Sequence, residues 1–276
     1  MGHRQYWLGQ KIWDGNIIRP ITKNYKISLC TTCMDRLADL SQTLPFNLGY
    51  ERYPDVEFVL LDYGSKKDDV AAWVKANLSD YISNGKLNFY RTDEPQHYSM
   101  GISRNIAFKA ATGDVVVNVD ADNYIVWRTA PQAPDRTFCE YLNILANQCE
   151  GRRGMFAKGK RLLRGRLGFF KKEFMDELGG YDEEMVGYGY DDIDLLRRGW
   201  ASGYELYWFG GIYLERIKTS SKQKGENMPI KNWKESEKLN QQLGYKKIEQ
   251  GILKANEGKP WGKARLIKNF SEEVIL

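Results

Sequence analysis

The chain has 276 residues, of which 42% are hydrophobic and 28% are charged, a composition typical of a folded globular protein rather than a disordered or fibrous one. Its 41 Lys and Arg residues outnumber its 36 Asp and Glu residues by five, which suits an anionic ligand such as a phosphate or nucleotide but not a chromatin-like protein. No apolar stretch approaches the roughly 20 residues that span a bilayer, and residues 1–13 lack the apolar centre of a signal peptide, so we expect a cytoplasmic protein without a membrane span.

The first half of the chain alternates short strand-like and helix-like segments. In chain order, strands are predicted at 26–31, 56–61, 87–91 and 114–119, with helices between them at 35–44, 68–78 and 103–111. The mostly apolar segment 56–61 is typical of a strand buried on both faces of a parallel sheet. The alternation predicts an α/β fold with a mostly parallel, Rossmann-like central sheet, helices on both faces, and ligands at the carboxyl ends of the strands.

After residue 122 the pattern changes. Helices are predicted at 136–149, 171–178 and 191–198, and a further helix at 233–243 in a polar, lysine-rich segment. We expect this segment, 226–276, to form a helical C-terminal extension that packs on a main domain, 1–225, and frays at its end. Its lysines are interpreted as a solvated face rather than a binding patch.

A Gly-, Arg- and Lys-rich segment, 151–168, is predicted to be a mobile loop. It could close over ligand phosphates, meet an anionic partner, or simply be solvated. Its basic residues are Arg152, Arg153, Lys158, Lys160, Arg161, Arg164 and Arg166.

The cysteines do not indicate a disulfide-stabilised fold. Cys30 and Cys33 have the spacing of a redox or zinc pair, but no second pair follows and the histidines are only His3 and His97. These are too few ligands for a structural zinc site. We expect reduced, partly buried thiols at all four positions: Cys30, Cys33, Cys139 and Cys149.

Two carboxylates, Asp120 and Asp122, directly follow the buried strand 115–119. Side chains of this kind in one short turn repel each other, so a divalent cation that also bridges to phosphate oxygens is a natural partner. The alternative is a solvated turn, or a helix cap at Asn123.

Two other segments lie where this architecture places a ligand. Asp62 follows a strand and precedes Gly64, which allows close backbone approach, so its carboxylate could accept hydrogen bonds from a base or ribose, or cap the next turn. Arg104, at the start of a helix, could face a diphosphate, support the acidic turn, or lie at the surface.

A second acidic group opens the helix predicted at 191–198. Asp194 can serve the helix N-terminus, where free N–H groups need acceptors. Capping does not require both Asp191 and Asp192, and a clustered carboxylate is a candidate general base. The preceding Tyr188 and Tyr190 suit stacking on a sugar face.

These motifs, in this order, resemble the inverting glycosyltransferases of the GT-A fold in the broad family 2 group. The likeness is greatest to bacterial chondroitin-polymerase-type domains and to the C-terminal region of galactosyltransferases, and it extends from about residue 26 to about residue 227. Its most specific stretches are SRNIA (103–107), TGD (112–114) and DAD (120–122), followed by GGYDE (179–183) and GYGYDD (187–192).

The resemblance implies a metal-dependent transfer of a sugar from a nucleotide sugar, expected to be a UDP-sugar, to an acceptor hydroxyl by a single in-line displacement. Asp122 would bind Mn²⁺ or Mg²⁺, Asp192 would deprotonate the acceptor, and Asp191 would orient it, with Tyr188 and Tyr190 in contact with it. Residues 26–122 would form the nucleotide-binding half and 123–225 the acceptor half. The donor nucleotide would contact Thr31, Thr32, Arg36, Asp62, Arg104, Asp120 and Ala121, with Asp120 on either the ribose or the cation.

The chain departs from the family pattern at two positions. Leu61 precedes Asp62, where the family often has paired acids. Glu215 stands where relatives commonly supply a histidine ligand; because a carboxylate is an acceptable hard ligand, we expect Glu215 to be a third metal ligand. The alternative is a simple ion pair of Glu215 with Arg216 or Lys218.

Two other functions remain open from the sequence. A nucleotidyltransferase that makes nucleotide sugars needs a Gly-rich loop bearing Arg and Lys after the first strand, and CTTCMD (30–35) offers none. A non-enzymatic nucleic-acid-binding protein could use the basic tail and the 13% aromatic residues, with steeply salt-dependent binding, but it leaves the acids at the strand ends unexplained.

Overall fold

The computed structural model describes residues 19–126, 136–149, 153–157, 166–209, 213–217, 225 and 227–276. The strands are β1 (Ile27–Cys33), β2 (Val56–Tyr63), β3 (Leu87–Thr92), β4 (Val115–Asn118), β5 (Asn123–Ile125), β6 (Gly154–Ala157), β7 (Leu167–Phe170), β8 (Glu205–Trp208), β9 (Leu214–Arg216), β10 (Arg265–Lys268) and β11 (Glu272–Ile275). The helices are α1 (Leu37–Tyr50), α2 (Val70–Asn77), α3 (Ser79–Ser83), α4 (Met100–Ala110), α5 (Phe138–Gln148), α6 (Lys171–Asp176), α7 (Asp191–Ala201) and α8 (Trp233–Glu249).

The described strands form one large mixed sheet and one small one. The large sheet has the order β11-β10-β3-β2-β1-β4-β7-β6-β8, and β5 pairs with β9 in the small sheet. The adjacent strands β3, β2, β1 and β4 run parallel, as the sequence predicts, whereas β7 and β10 are added antiparallel on either side of them. Every residue of β1 is buried, as expected for a strand covered on both faces.

Helices cover both faces of the large sheet because successive residues of each strand point to opposite sides. Ile27 and Leu29 of β1 belong to one hydrophobic core with α1, α2 and α5. Cys30 of β1 and Val116 of β4 belong to a second core with α4, α6 and α7. The predicted α/β fold with helices on both faces is therefore confirmed.

Helix α1 is longer than predicted. The sequence analysis predicts an end at Leu44, just before Pro45, a residue that removes a backbone hydrogen bond within a helix. The structure instead continues the helix through Pro45 to Tyr50. Leu44 and Leu48 keep the helical spacing of buried residues, and this packing outweighs the local cost of the proline.

The prediction of a mobile loop at 151–168 is wrong for the part that the structure describes. Residues 154–157 form β6 and residues 167–170 form β7, and these strands pair antiparallel within the large sheet. Their apolar side chains, such as Phe156 and Phe169, are buried. Arg153 and Arg166 border these strands, and the other basic residues of the segment lie outside the described residues: Arg152, Lys158, Lys160, Arg161 and Arg164.

The prediction of a fraying C-terminus is also wrong. The extension is helical in α8, but β10 and β11 then add two strands to the large sheet beside β3. Asn269 fixes the turn between them: its side-chain Oδ1 accepts the N–H of Phe89 at 2.9 Å, and its own N–H donates to the Phe89 carbonyl. Leu266 of β10 is fully buried.

The expectation of reduced cysteines is confirmed, since all four are free and buried. Burial raises the pKa of the Cys33 thiol to about 12, which does not suit the reactive thiolate of a redox centre. Among the described residues, no helix is both long enough and apolar enough to cross a membrane.

Candidate active site

The acidic turn, 120–122, lies at the carboxyl end of β4, beside the end of β1. Two threonine hydroxyls hold its backbone. Thr31 Oγ1 donates to the Val119 carbonyl at 2.8 Å, and Thr43 Oγ1 of α1 donates to the Ala121 carbonyl at 2.7 Å. Both threonines are thus used to position the turn, and the predicted contact of Thr31 and Ala121 with a nucleotide remains an untested prediction.

Asn47 of α1 holds the segment that follows the turn. Its Nδ2 donates to the Asn123 carbonyl at 2.8 Å, and its Oδ1 accepts the N–H of Ile125 at 2.6 Å. Asn123 in turn donates from Nδ2 to Asp122 Oδ1 at 2.7 Å. The part of α1 beyond Pro45 therefore fixes the direction in which Asp122 points.

Arg104 connects the acidic turn to the second acidic group. Its guanidinium donates from Nη1 to Asp191 Oδ2 at 2.6 Å and from Nη2 to Asp120 Oδ1 at 3.3 Å. The side chain is only 2% exposed. Arg104 therefore supports the acidic turn and is not a surface residue, and its predicted contact with the donor diphosphate remains an untested prediction. Asn118 adds a hydrogen bond from Nδ2 to Asp120 Oδ1 at 2.7 Å.

A second arginine, Arg166, contacts the other side of the acidic turn. Its Nη2 lies 3.2 Å from Asp120 Oδ2 and 3.7 Å from Asp122 Oδ1, and its Nε donates to Asn123 Oδ1 at 2.5 Å. Arg166 precedes β7, which pairs with β4, and this pairing carries it to the turn. The sequence grouped it with a loop and gave no sign of this contact.

The two carboxylates of the turn differ in proton affinity. Burial raises the pKa of Asp122 to about 6, and the charge of Asp120 adds to the effect against the opposing charges of Arg166 and Arg36. Burial alone would also raise the pKa of Asp120, but Arg166 and Arg104 bring it below its usual value. Both carboxylates are therefore mainly ionised at neutral pH, the form that binds a cation.

Asp62, at the end of β2, carries an unsatisfied acceptor. Its carboxylate is fully buried; Oδ1 accepts the N–H of Ser65 at 3.0 Å, whereas Oδ2 has no hydrogen-bond partner among the described residues. Arg91 Nε is 4.0 Å from Oδ2, beyond hydrogen-bonding distance. Burial raises the pKa of Asp62. A buried carboxylate oxygen without a donor is rare and is suited to an N–H group of a ligand.

The remaining predicted donor residues lie beside this edge of the sheet. Thr32 Oγ1 and Tyr98 Oη are 2.6 Å apart, which ties the end of β1 to the segment before α4. Arg36 pairs with Asp39, Nε to Oδ2 at 2.7 Å. Burial alone would lower the pKa of Arg36, and the charge of Asp122 is among the effects that raise it.

The two most specific sequence stretches contact each other. Asn105 donates from Nδ2 to the Tyr181 carbonyl at 2.9 Å and accepts the Tyr181 N–H at Oδ1 at 2.8 Å. This reciprocal pair holds the segment 179–183 against α4, just as the neighbouring Arg104 holds Asp191.

The loop 187–190 leads into α7 and is supported from behind by α8. Gly187 has φ +80°, and a Cβ there would lie 2.8 Å from Ser236 Oγ, which accepts the N–H of Tyr188 at 2.7 Å. Tyr190 has φ +73°, a left-handed conformation that costs energy for a residue other than glycine. The loop therefore keeps its shape through contacts with the C-terminal extension.

The three acids of α7 have different surroundings. Asp194 is fully buried and accepts from Arg198 Nε at 2.7 Å, so it forms an internal ion pair rather than a helix cap. Asp192, 9% exposed, accepts the N–H of Ile193 at 2.8 Å. Burial, followed by the charges of Asp120, Asp191 and Asp192, raises the pKa of Tyr188.

Tyr190 does not face this group. Its ring is 3% exposed and lies 6.1 Å from the ring of Tyr245 on α8, and its hydroxyl accepts a hydrogen bond from Arg197 Nη1 at 2.5 Å. The side chain packs α7 on α8, and the predicted contact of Tyr190 with an acceptor stays an untested prediction.

Glu215 lies on β9 opposite Tyr124 and is exposed. Among the described residues, no three His, Cys, Asp or Glu side chains converge closely enough to hold a metal ion by themselves. The structure thus brings Asp120 and Asp122 together but does not add Glu215 to them. Its role as a metal ligand stays a prediction.

The sequence missed the contribution of α8. Trp233 lies 6.1 Å from the ring of Tyr188 in an edge-to-face arrangement, and Asn240 accepts the N–H of Val186 and donates to the Gly189 carbonyl. The sequence predicts a helix at 233–243 that packs on the main domain, with its lysines on a solvated face, but it does not single out Trp233 or Asn240.

Two family models match the segments that carry these acids. The model described as glycosyl transferase family 2 matches residues 28–126, which include Asp62 and the acidic turn, and the model described as the N-terminal domain of galactosyltransferase matches residues 158–223, which include Asp191 and Asp192. The chain is a glycosyltransferase, and its residues 28–126 are similar to family 2. The nucleotidyltransferase and nucleic-acid-binding alternatives are set aside.

Solved structures show that this glycosyltransferase has the GT-A fold. It matches the mannosyltransferase PcManGT from Pyrobaculum calidifontis, in complex with GDP-Man and Mn²⁺, with TM-score 0.62 and 19% identity over 90% of this chain and 72% of that chain. It matches glucosyl-3-phosphoglycerate synthase from Mycobacterium tuberculosis, in complex with Mn²⁺, UDP and phosphoglyceric acid, with TM-score 0.56 and 14% identity over 85% of each chain. It also matches S. aureus TarS 1-349, in complex with UDP, with TM-score 0.54 and 13% identity over 82% of this chain and 72% of that chain. No curated protein has a significantly similar sequence.

Proposed function

We propose that this glycosyltransferase is metal-dependent and inverting, and that it moves a sugar from a UDP-sugar to an acceptor hydroxyl. The observation that carries the proposal is the chain of contacts from Asp122 through Arg166, Asp120 and Arg104 to Asp191. These contacts support a site in which the candidate cation ligands lie near the candidate base, Asp192, the next residue along α7.

Asp62 is the proposed contact of the donor base. The N3–H of uracil can donate to its unsatisfied buried Oδ2, which would satisfy that atom. Guanine also offers N–H groups, and the mannosyltransferase is in complex with GDP-Man. We favour uracil because UDP is the nucleotide in the synthase and TarS complexes.

Asp120 and Asp122 are the proposed protein ligands of the cation. Their oxygens are the hard donors that Mg²⁺ and Mn²⁺ prefer, and one or two carboxylates together with substrate phosphates are a usual ligand set for such ions. These residues therefore fit the group, and Glu215 remains proposed as a third ligand. A bound divalent cation neutralises charge on the departing diphosphate.

Asp192 is the proposed general base. It would accept the proton of the acceptor hydroxyl while the hydroxyl oxygen bonds to the anomeric carbon. In the same step the bond from that carbon to the diphosphate oxygen breaks on the opposite side, so the configuration inverts. Arg104 fixes Asp191 beside the base, and the edge-to-face rings of Tyr188 and Trp233 offer an apolar wall for a sugar acceptor.

The experiment that tests this function is a thermal-shift panel of nucleoside diphosphates with and without Mn²⁺. We expect UDP to stabilise the protein only with Mn²⁺, because a ligand that binds the folded state raises its melting temperature. We expect this shift to vanish in Asp122→Ala and to persist in Asp192→Asn, which should lose transfer in a product assay. If no nucleoside diphosphate shifts the melting temperature with any divalent cation, the proposed function is wrong.

A further inference from the structure

Arg166 is placed by the sheet rather than by a flexible loop. In the antiparallel pairing of β4 with β7, Val117 lies opposite Gly168. Extending this register by two residues places Arg166, just before β7, opposite Val119, the residue that precedes the acidic turn. The side chain is 11% exposed, which shows that it is packed rather than extended into solvent.

The guanidinium of Arg166 engages the oxygens that a cation would share. It contacts Asp120 Oδ2 at 3.2 Å and Asp122 Oδ1 at 3.7 Å. The other oxygen of Asp120, Oδ1, already accepts from Asn118 and Arg104. A cation that bridges the two carboxylates therefore competes with Arg166 for them.

We propose that Arg166 is an internal competitor of the divalent cation, a positioning residue that neutralises the acidic turn and must withdraw from it when the cation binds. The inference rests on the proposed metal dependence and adds a residue that the sequence motifs do not include. Two positive charges in one small site repel each other. The present contacts of Arg166 with both carboxylates therefore cannot persist once the cation binds.

The charge balance of the cluster supports this role. Three carboxylates, those of Asp120, Asp122 and Asp191, are matched by two guanidinium groups, those of Arg104 and Arg166. Arg104 is held deep in the fold at 2% exposure by its link to α7, whereas Arg166 approaches from the edge of the turn. Of the two arginines, Arg166 is thus the one that an incoming metal ion can replace.

The test is calorimetric titration of Mn²⁺, without nucleotide, into the unaltered protein and three variants. We expect Arg166→Gln to bind Mn²⁺ on the order of tenfold more tightly, since one charge-assisted contact no longer has to be broken. Arg166→Lys keeps a positive charge and should bind close to the unaltered protein. Arg153→Gln is the matched control: Arg153 precedes β6 and pairs with Glu177 at 2.9 Å, so its loss should leave Mn²⁺ affinity unchanged.

Each other outcome overturns the inference. Equal Mn²⁺ affinity in the unaltered protein and Arg166→Gln would show that Arg166 does not compete. Weaker binding in Arg166→Gln would show that Arg166 orients the carboxylates for the cation instead. If no variant binds Mn²⁺ without nucleotide, the inference fails, because Arg166 then has no cation to exclude. The proposed metal dependence is tested separately by the panel of nucleoside diphosphates with and without Mn²⁺, so the two failures are distinguishable.

Discussion

The Nη1 atom of Arg104 lies 2.6 Å from Asp191 Oδ2, and the two side chains are 2% and 6% exposed. The contact joins α4 to the first residue of α7. The same guanidinium lies 5.5 Å from the centre of the Tyr181 ring. The relative position of the two acidic groups is therefore set by the buried guanidinium of Arg104 and the groups that surround it.

Arg104→Met should destabilise the protein by about 3–5 kcal/mol, because removing one partner of a buried ion pair leaves the other charge buried and unpaired. Asp191→Asn should recover part of this loss when the two are combined. We expect a double-mutant cycle, measured by chemical denaturation, to give a coupling energy of about 1–3 kcal/mol.

The matched control for this cycle is the exposed pair of Lys259 and Glu184, whose side chains are 64% and 45% exposed. Lys259→Met should change the free energy of unfolding by about 1 kcal/mol or less. A coupling energy for Arg104 and Asp191 no larger than that of this surface pair would contradict the role assigned to their contact.

Gly187→Ala should destabilise the loop before α7. Two effects act together: the left-handed φ of +80°, and the close approach of an added Cβ to Ser236 Oγ at 2.8 Å. We expect the free energy of unfolding to fall by about 2–4 kcal/mol from conformational cost and overpacking. Gly85→Ala is the control, since Gly85 has φ +79° but no atom within 4 Å of an added Cβ. It should cost only about 1 kcal/mol, and equal losses in the two variants would show that α8 does not constrain the loop.

Asn47→Ala should weaken the acidic turn without altering a carboxylate. The substitution leaves the Ile125 N–H and the Asn123 carbonyl without their partner, at a cost of about 2–4 kcal/mol for two buried groups. We expect Mn²⁺ affinity, measured by titration, to fall as well. Asn77→Ala removes an exposed hydrogen bond on α2 and should change neither quantity; an Mn²⁺ affinity of Asn47→Ala that matches this control would contradict the positioning role.

The sequence predicts the parallel centre of the fold because strands such as 56–61 are mostly apolar and alternate with amphipathic helices. It also predicts which acids stand at strand ends, since that depends only on local order along the chain. It does not predict β10 and β11, because four-residue strands with one buried side chain, such as Leu266, carry too little pattern.

The same limit applies to the site. Arg166 reaches the acidic turn through the register of β4 and β7, and Asn47 reaches it through a helix that continues past a proline. Trp233 meets Tyr188 only because the C-terminal extension folds back on the loop before α7. Each of these contacts is made between residues distant in the chain, and no local spacing encodes it.

Glu173→Gln should stabilise the protein at high pH only. Burial, with the charge of Glu177 adding to it, raises the pKa of Glu173 to about 7, so the folded state holds a proton that the unfolded state releases near pH 4.5. The protonated Glu173 carboxyl therefore contributes its full stabilisation of the folded state below pH 4.5. This stabilisation is lost as the pH rises to 7 and the buried group ionises. We expect the variant to melt at a higher temperature than the unaltered protein at pH 8 and at the same temperature at pH 4.5.

The control for this pH dependence is Glu249→Gln, which alters an exposed carboxylate on α8. It should give no difference at either pH. A Glu173→Gln variant that gains nothing at pH 8, or that gains equally at both pH values, would contradict a raised pKa of Glu173 in the folded protein.

The central claim, that acids from distant parts of the chain form one site with divided roles, is tested most directly by calorimetric titration of UDP in the presence of Mn²⁺. We expect Asp62→Asn to weaken UDP binding, since an amide N–H would face the base, and Asp122→Asn to abolish the dependence on Mn²⁺. Asp192→Asn should bind UDP as the unaltered protein does. Loss of UDP binding in Asp192→Asn, together with unchanged binding in Asp62→Asn and Asp122→Asn, would contradict the account.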